Sequence, residues 1–425
     1  MKASDFTIEV HHLVSELRRD LAEEGKVFSD IVDDSHQYVD LVMEGGGVLG
    51  VALVGFTYVL EQAGLRFLRV GGASAGAINA LLLAGLGRPA EAKSEKIVEL
   101  LANLDMYEFV DGDADVRRLV DSWVQNAGRI RLGLHAARVW DNVRDDLGLN
   151  PGKVFHDWLT GVLRRERIAT TAQLEARMKD MPASLRRRDG RPLTGEQTAG
   201  LALIAADIST ETKAVFPKMA PLYWAKPREV NPAKYVRASM SIPFFFHPYR
   251  VENVPQGREA LDRWKELAGY EEMPPPACIF IDGGIMSNFP IDLFHKPERV
   301  PSVPTFGVKL GTDRRRTSGI DQPMDLVGAV FNSARHCLDY DFIARNPDYR
   351  KLVTCIDTKD HNWLNFNMKP EEKIELFVSG ARAADHFLRK FNWVEYKKIR
   401  RGIAAAYEAA HLPKDEIKDD NPTSG

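Results

Sequence analysis

Apolar residues recur at helical spacing near the start of the chain, with Phe6, Val10, Leu13, Val14, Leu17 and Leu21 on one face and Glu16, Arg18, Arg19 and Asp20 on the other. The spacing predicts a docking helix, because the polar face mixes signs where a membrane-surface helix carries cations. A short apolar run at 38–43 then predicts a buried strand. It is followed by a glycine run (Gly45 to Gly47), a helical pattern over 51–63 closed by Gly64, and a second apolar run at 67–70. Another helical pattern follows at once over 77–84. Buried strands alternating with crossover helices predict an α/β class with a mainly parallel sheet.

From about Arg88 to residue 199 the pattern shifts to charged, helix-forming segments, which predicts a helical insertion. It ends in a polar stretch rich in arginine (Arg186, Arg187, Arg188, Arg191), expected to be a mobile, solvated surface loop. Strand-like runs resume at 201–206, 278–281, 305–310 and 351–356, and an amphipathic helix is expected over 374–388. The polar tail from Pro413 is expected to fray. The organisation expected is an N-terminal helical extension (1–37), a main α/β domain (38–400) containing the insertion (88–199), and a C-terminal helix end and tail (401–425).

The 57 basic and 60 acidic residues leave a net charge of −3, which offers no long-range field to a polyphosphate partner, so nucleic acid is not expected. Apolar residues make up 44% of the 425, enough for one large core or two modest ones. No run of eighteen apolar residues and no signal-peptide pattern occurs, so a cytoplasmic location is expected, with export lacking a cleavable signal left open. Cys278, Cys337 and Cys355 are too few and too scattered for a disulfide framework or zinc site and are expected to be buried thiols. The histidines form no metal constellation, so no metal and no cofactor is expected.

Two glycine motifs carry the chemistry. Gly45-Gly46-Gly47-Val48-Leu49-Gly50 satisfies G-x-G-x-x-G between a strand and a helix, but the acid that a dinucleotide site wants at the end of the next strand is replaced by Gly71-Gly72-Ala73-Ser74. Gly72-Ala73-Ser74-Ala75-Gly76 is G-x-S-x-G at a strand-to-helix junction, where small neighbours let a serine hydroxyl project from a sharp turn. The first motif then reads as a row of backbone N–H donors, Gly45 to Gly47, for an oxyanion forming beside Ser74. A serine needs a base. Asp282, ending an apolar strand before Gly283 and Gly284, would lie on the same sheet edge as Ser74 if both strands were parallel.

In this order the motifs resemble the patatin-like phospholipases, whose pattern runs G-G-G-x-x-G, G-x-S-x-G, D-G-[AG]. Further segments agree, among them LALIAADIS from Leu201, RASMSIPFFFHP from Arg237 and FNMKPEEKIELFVSGARAADHFL from Phe366, so the resemblance spans most of residues 38–390. It implies a three-layer α/β/α fold and a serine–aspartate dyad hydrolysing acyl esters of lipids. In that reading Ser74 is the nucleophile, Asp282 the base and the glycine loop the oxyanion hole. It also implies a phospholipid or other acyl-lipid substrate met at a membrane surface by transient peripheral contact. The family often has a basic residue where this chain has Leu49, which removes any headgroup contact from that side chain. The run Phe244-Phe245-Phe246 is open to two readings, core packing or the lip of an acyl pocket. Three alternatives stand beside the hydrolase: a transacylase with the same dyad, an α/β-hydrolase triad that would recruit a late histidine such as His361 or His386, and a noncatalytic nucleotide-binding or membrane-regulating module.

Overall fold

The computed structural model of the chain describes residues 1–118, 146–194, 197–294, 298–311 and 342–411, with isolated positions between them. The tail from residue 412, part of the insertion (119–145) and Cys337 lie outside the described residues. The opening helical pattern is borne by α1 (Ala3–Thr7), a 3-10 turn and α2 (His11–Glu23). Their apolar face is buried, with Phe6 set edge-on to Phe377 of the long helix Pro370–Lys390.

Twelve strands occur among the described residues: β1 (Ile31–Val32), β2 (Gln37–Met43), β3 (Leu65–Ala73), β4 (Gly148–Asn150), β5 (Arg186–Arg187), β6 (Gly200–Asp207), β7 (Thr212–Phe216), β8 (Phe244–Phe246), β9 (Tyr249–Glu252), β10 (Ala277–Asp282), β11 (Thr305–Leu310) and β12 (Val353–Ile356). Ten build one sheet in which hydrogen-bonded neighbours run β12-β11-β2-β3-β6-β10-β9, with β7 also on β6 and β1 joining β2 to β5. Helices α3 (Gly50–Gln62), α4 (Ala75–Gly85) and α5 (Ser94–Ala102) follow the first strands, and the fold is three-layered, α/β/α. Helix α3 packs so closely on Pro370–Lys390 that a Cβ at Gly55 would lie 1.9 Å from the Phe377 carbonyl oxygen.

The sheet is mixed, and the expected mainly parallel arrangement does not hold. Only β12-β11, β11-β2, β2-β3 and β3-β6 are parallel, and five of the nine pairings are antiparallel. Two strands absent from the sequence reading account for much of this. Strand β7 folds back on β6 through a turn in which the Asp207 carboxylate accepts from the Ser209 N–H (2.9 Å) and the Thr210 hydroxyl (2.7 Å). Strand β9 pairs with β10, which itself enters against β6 from the opposite end. A run of apolar residues specifies burial but not strand direction, so nothing local distinguished these cases.

The arginine-rich stretch also departs from expectation, since Arg186 and Arg187 form β5 on the edge of β1. Its charges are matched by carboxylates, Arg186 with Asp34 (2.8 Å) and Arg187 with Asp189 (2.8 Å). Cys278 is buried, whereas Cys355 is exposed, against the expectation of buried thiols.

Candidate active site

Strands β2 and β3 run parallel with Met43 opposite Gly72, so the glycine loop and the serine turn leave the sheet side by side. The close approach explains the glycines. A Cβ at Gly76 would lie 2.1 Å from the Met43 carbonyl oxygen, and one at Gly45 would lie 3.0 Å from the Ser74 Cβ. Gly47 has φ of 56° and Gly50 abuts Ala75, so α3 and α4 begin against each other and their positive N-terminal ends converge.

Within the glycine loop the backbone donors are unequally engaged. The Gly45 N–H donates to the Asn288 carbonyl (3.0 Å), Val48 to the Trp363 carbonyl (3.0 Å) and Leu49 to the Gly46 carbonyl (3.2 Å), and the Gly50 N–H bonds back into the turn. The N–H groups of Gly46 and Gly47 have no partner among the described residues.

Ser74 sits at φ 50°, ψ −119° and is buried. A non-glycine residue held there stores about 1–3 kcal/mol of strain, which persists only where neighbours fix it. One such neighbour is Ser239, whose hydroxyl accepts from the Ser74 N–H (2.9 Å). Ala73 ends β3 and Ala75 opens α4, both buried, so the small residues of the pentapeptide are spent on packing the turn.

Asp282 reaches this place by a route other than parallel strands. Strand β3 pairs with Gly200 to Ile204 of β6, and β7 pairs with Leu203 to Asp207, so β3 and β7 lie on opposite edges of β6. Strand β10 pairs with Ala205 to Asp207, positions whose other edge β7 already holds, so β10 continues along the edge that β3 occupies. The two strands meet end to end, with Ala73 opposite Ile204 and Asp282 opposite Ala205. Both chains then turn away, β3 into Ser74 and α4, β10 into the short helix Gly284–Ser287. Gly283 must be glycine, since a Cβ would lie 2.0 Å from the Ile204 carbonyl oxygen. Asp282 is buried, and its carboxylate accepts from the Gly284 N–H (2.8 Å).

The segment Ser239 to Ser241 bridges the two turns. Its Ser241 carbonyl accepts from the Asp282 N–H (2.8 Å), and the Ser239 carbonyl from the Gly283 N–H (2.9 Å). Arg237, buried so deeply that its guanidinium falls to about 10, anchors the segment by donating to the Ser241 hydroxyl and to the carbonyls of Pro151 (2.7 Å) and His247 (2.8 Å). In the sequence this segment stands out only as one that agrees with the family, and the bridging roles of Ser239 and Ser241 carry no signal.

Beside Ser74 and Gly47 opens a cleft that encloses about 790 Å³ when the space open to solvent is included. Its walls are apolar: Val51 and Val54 of α3, Ile78 and Leu82 of α4, Ile97, Leu100 and Leu101 of α5, then Met106, Phe109, Phe155 and Trp158 from beyond α5, with Met240, Ile242 and Phe366. Among the described residues no histidine lines it. His361 pairs with Glu375 (3.0 Å) and His386 is exposed on its helix. Of the three successive phenylalanines, Phe245 and Phe246 are buried and Phe244 is exposed, and none lines the cavity. Phe245 instead stacks on the cavity residue Phe366 at 4.9 Å.

Residues 41–295 match the patatin-like phospholipase family. The chain belongs to that family. As a patatin-like protein it carries a hydrolase domain of the lipid acyl-ester class. An uncharacterised protein of Bacillus subtilis, YqhO, is 28% identical over 358 residues, spanning 84% of this chain and all of the relative. Among solved structures, VipD from Legionella pneumophila matches at 15% identity and a TM-score of 0.40 over 84% of this chain and 68% of its own. ExoU of Pseudomonas aeruginosa, in its complex with SpcU, matches at 16% and 0.33 over 85% and 54%. No described helix of this patatin-like chain is long and apolar enough to cross a membrane.

Proposed function

We propose that this patatin-like protein hydrolyses acyl esters of membrane lipids through an acyl-enzyme on Ser74, with Asp282 as the base. The Ser74 hydroxyl attacks the ester carbonyl carbon and passes its proton to the Asp282 carboxylate. The tetrahedral oxyanion is held by the N–H groups of Gly46 and Gly47 at the joined N-terminal ends of α3 and α4. Collapse expels the alcohol, which takes the proton back, and water then releases the fatty acid by the same steps in reverse order. Narrowing the donors to Gly46 and Gly47 follows from the prior engagement of Gly45, Val48, Leu49 and Gly50.

The observation that carries the reading is the end-to-end meeting of β3 and β10 on one edge of β6, beside a glycine loop with two uncommitted donors. The apolar cavity suits an acyl chain, because burying methylenes there contributes about 0.8 kcal/mol each. Contact with a lipid surface falls to Phe244 and Leu147, both more than half exposed and next to each other where β8 pairs with β4. Phe244 continues the same segment that gives Met240 and Ile242 to the cavity.

The test is incubation of the purified chain with a mixed lipid extract and identification of products by mass spectrometry, controlled by Ser74→Ala. Free fatty acid and a lysolipid released only by the wild type support the reading. Acyl transfer to added lysolipid without free acid would favour the transacylase, and no Ser74-dependent product would refute both.

A further inference from the structure

Behind the glycine loop lies a buried polar cluster that the dyad chemistry does not use. Glu44, the last residue before Gly45, and Lys309 of β11 are both almost wholly buried and form an ion pair at 3.2 Å. The other Glu44 oxygen accepts from the Leu310 N–H (2.6 Å), and the Leu310 side chain in turn supports the loop from below, 2.7 Å from where a Gly46 Cβ would stand. The Asn288 amide donates to Glu44 (3.2 Å) and to the Gly45 carbonyl (3.2 Å), while the Asn288 carbonyl accepts the Gly45 N–H (3.0 Å). Asn288 lies just after the short helix that begins at the Asp282 turn.

A buried ion pair is a poor choice for stability alone, since apolar residues of equal bulk usually serve as well or better. This one stands among Met43, Phe289 and Leu310, where an apolar pair would pack. Resting on the hydrolase reading above, we infer that Glu44, Lys309 and Asn288 are positioning residues. Asn288 grips the first glycine on both its N–H and its carbonyl, and Glu44, neutralised by Lys309, fixes the Asn288 amide and the end of β11. The loop is thereby clamped to the segment that carries the base, so the Gly46 and Gly47 donors and Asp282 keep one geometry around Ser74. A reacting group displaced by about 1 Å can lose about 10²-fold in rate, which is the scale of effect expected here.

The test compares two double variants on a short soluble ester, with thermal unfolding as the control for folding. Glu44→Leu with Lys309→Met removes the charges and the acceptor; kcat is expected to fall about 10²-fold with KM within about threefold. Glu44→Gln with Lys309→Met keeps one acceptor oxygen, enough for either the Asn288 amide or the Leu310 N–H, and is expected to regain part of that loss. Asn288→Ala, which leaves the ion pair in place, provides the same reading should the apolar pair not fold, with kcat again reduced at unchanged KM. Wild-type kcat in a folded Glu44→Leu/Lys309→Met or Asn288→Ala variant, or equal loss in the apolar and the Gln variants, would overturn the inference. A wild-type chain that neither hydrolyses the ester nor reacts with a fluorophosphonate would overturn the hydrolase reading and this inference with it.

Discussion

Two neighbouring regions of the molecule are built by opposite means. At the sheet edge, backbone meets backbone: Gly45, Gly76 and Gly283 each stand where a Cβ would collide with a main-chain or side-chain atom of another motif, and hydrogen bonds accepted by Ser239, Ser241 and Asn288 lock the turns together. In the cavity a few ångströms away there is almost no polar constraint, only the faces of helices that start at that edge or arrive from the insertion. The edge tolerates almost no change because each residue type is dictated by a close approach or a donor. The cavity depends on volume and apolarity, which many sequences satisfy. The difference separates chemistry from selectivity: the edge should govern whether turnover occurs, and the cavity which acyl group is turned over.

Changes at the edge should therefore be the most severe. Asp282→Asn keeps shape and removes basicity, and is expected to lose about 10⁴-fold in kcat, near the loss for Ser74→Ala, as when a serine hydrolase loses a partner of its nucleophile. His361→Ala and His386→Ala, measured on the same ester, should stay within about threefold, since neither histidine lines the cavity; the reverse pattern would replace the dyad with a triad. Gly46→Val is expected to cost about 10²–10³ in kcat, the scale of one lost oxyanion donor, because the branched side chain displaces the loop and its N–H, with the fold kept because the new side chain meets mainly the flexible end of Leu310. Near-normal turnover in a folded variant would remove the loop from the chemistry.

Changes in the cavity should alter preference instead. Leu100→Trp places bulk among the cavity walls and is expected to lower kcat/KM for a palmitoyl ester by about tenfold, while a butyryl ester is unaffected. Equal effects on both esters would mean the cavity does not hold the acyl chain. The smallest effect is expected outside the cavity, where Phe244→Ser on the exposed end of β8 should reduce activity on vesicles by a few-fold and leave a soluble ester unchanged. Loss on both substrates would make Phe244 a packing residue.

The same contrast governs what could be read from the chain. The glycine loop, the serine turn and the Asp282 turn were legible because each demands particular residue types at fixed spacing. So were β2, β3, β6, β10 and β11, whose apolar runs are short and bounded by turns. Strand direction was not legible: the Asp282 strand was expected to run parallel to β3, whereas β10 comes from the other end and meets it head-on. The short, half-polar strands β7 and β9 carry too weak a pattern to stand out, which left the sheet looking parallel. The cavity was hidden for a further reason. Ile97, Leu101 and Phe155 look like ordinary core-facing positions of amphipathic helices, and only the space left between those helices gives them another use. Nor does a sequence say which N–H groups of a glycine loop are already taken, and the claim of Asn288 on Gly45 across 243 residues has no local signal.

The central claim, that the edge activates Ser74 itself, is tested most directly by treating the folded protein with a fluorophosphonate probe and mapping the adduct by peptide mass spectrometry. The account expects one adduct, on Ser74, formed in the wild type, absent in Ser74→Ala and strongly slowed in Asp282→Asn. An adduct on another residue, or none on a folded wild-type chain, would contradict it.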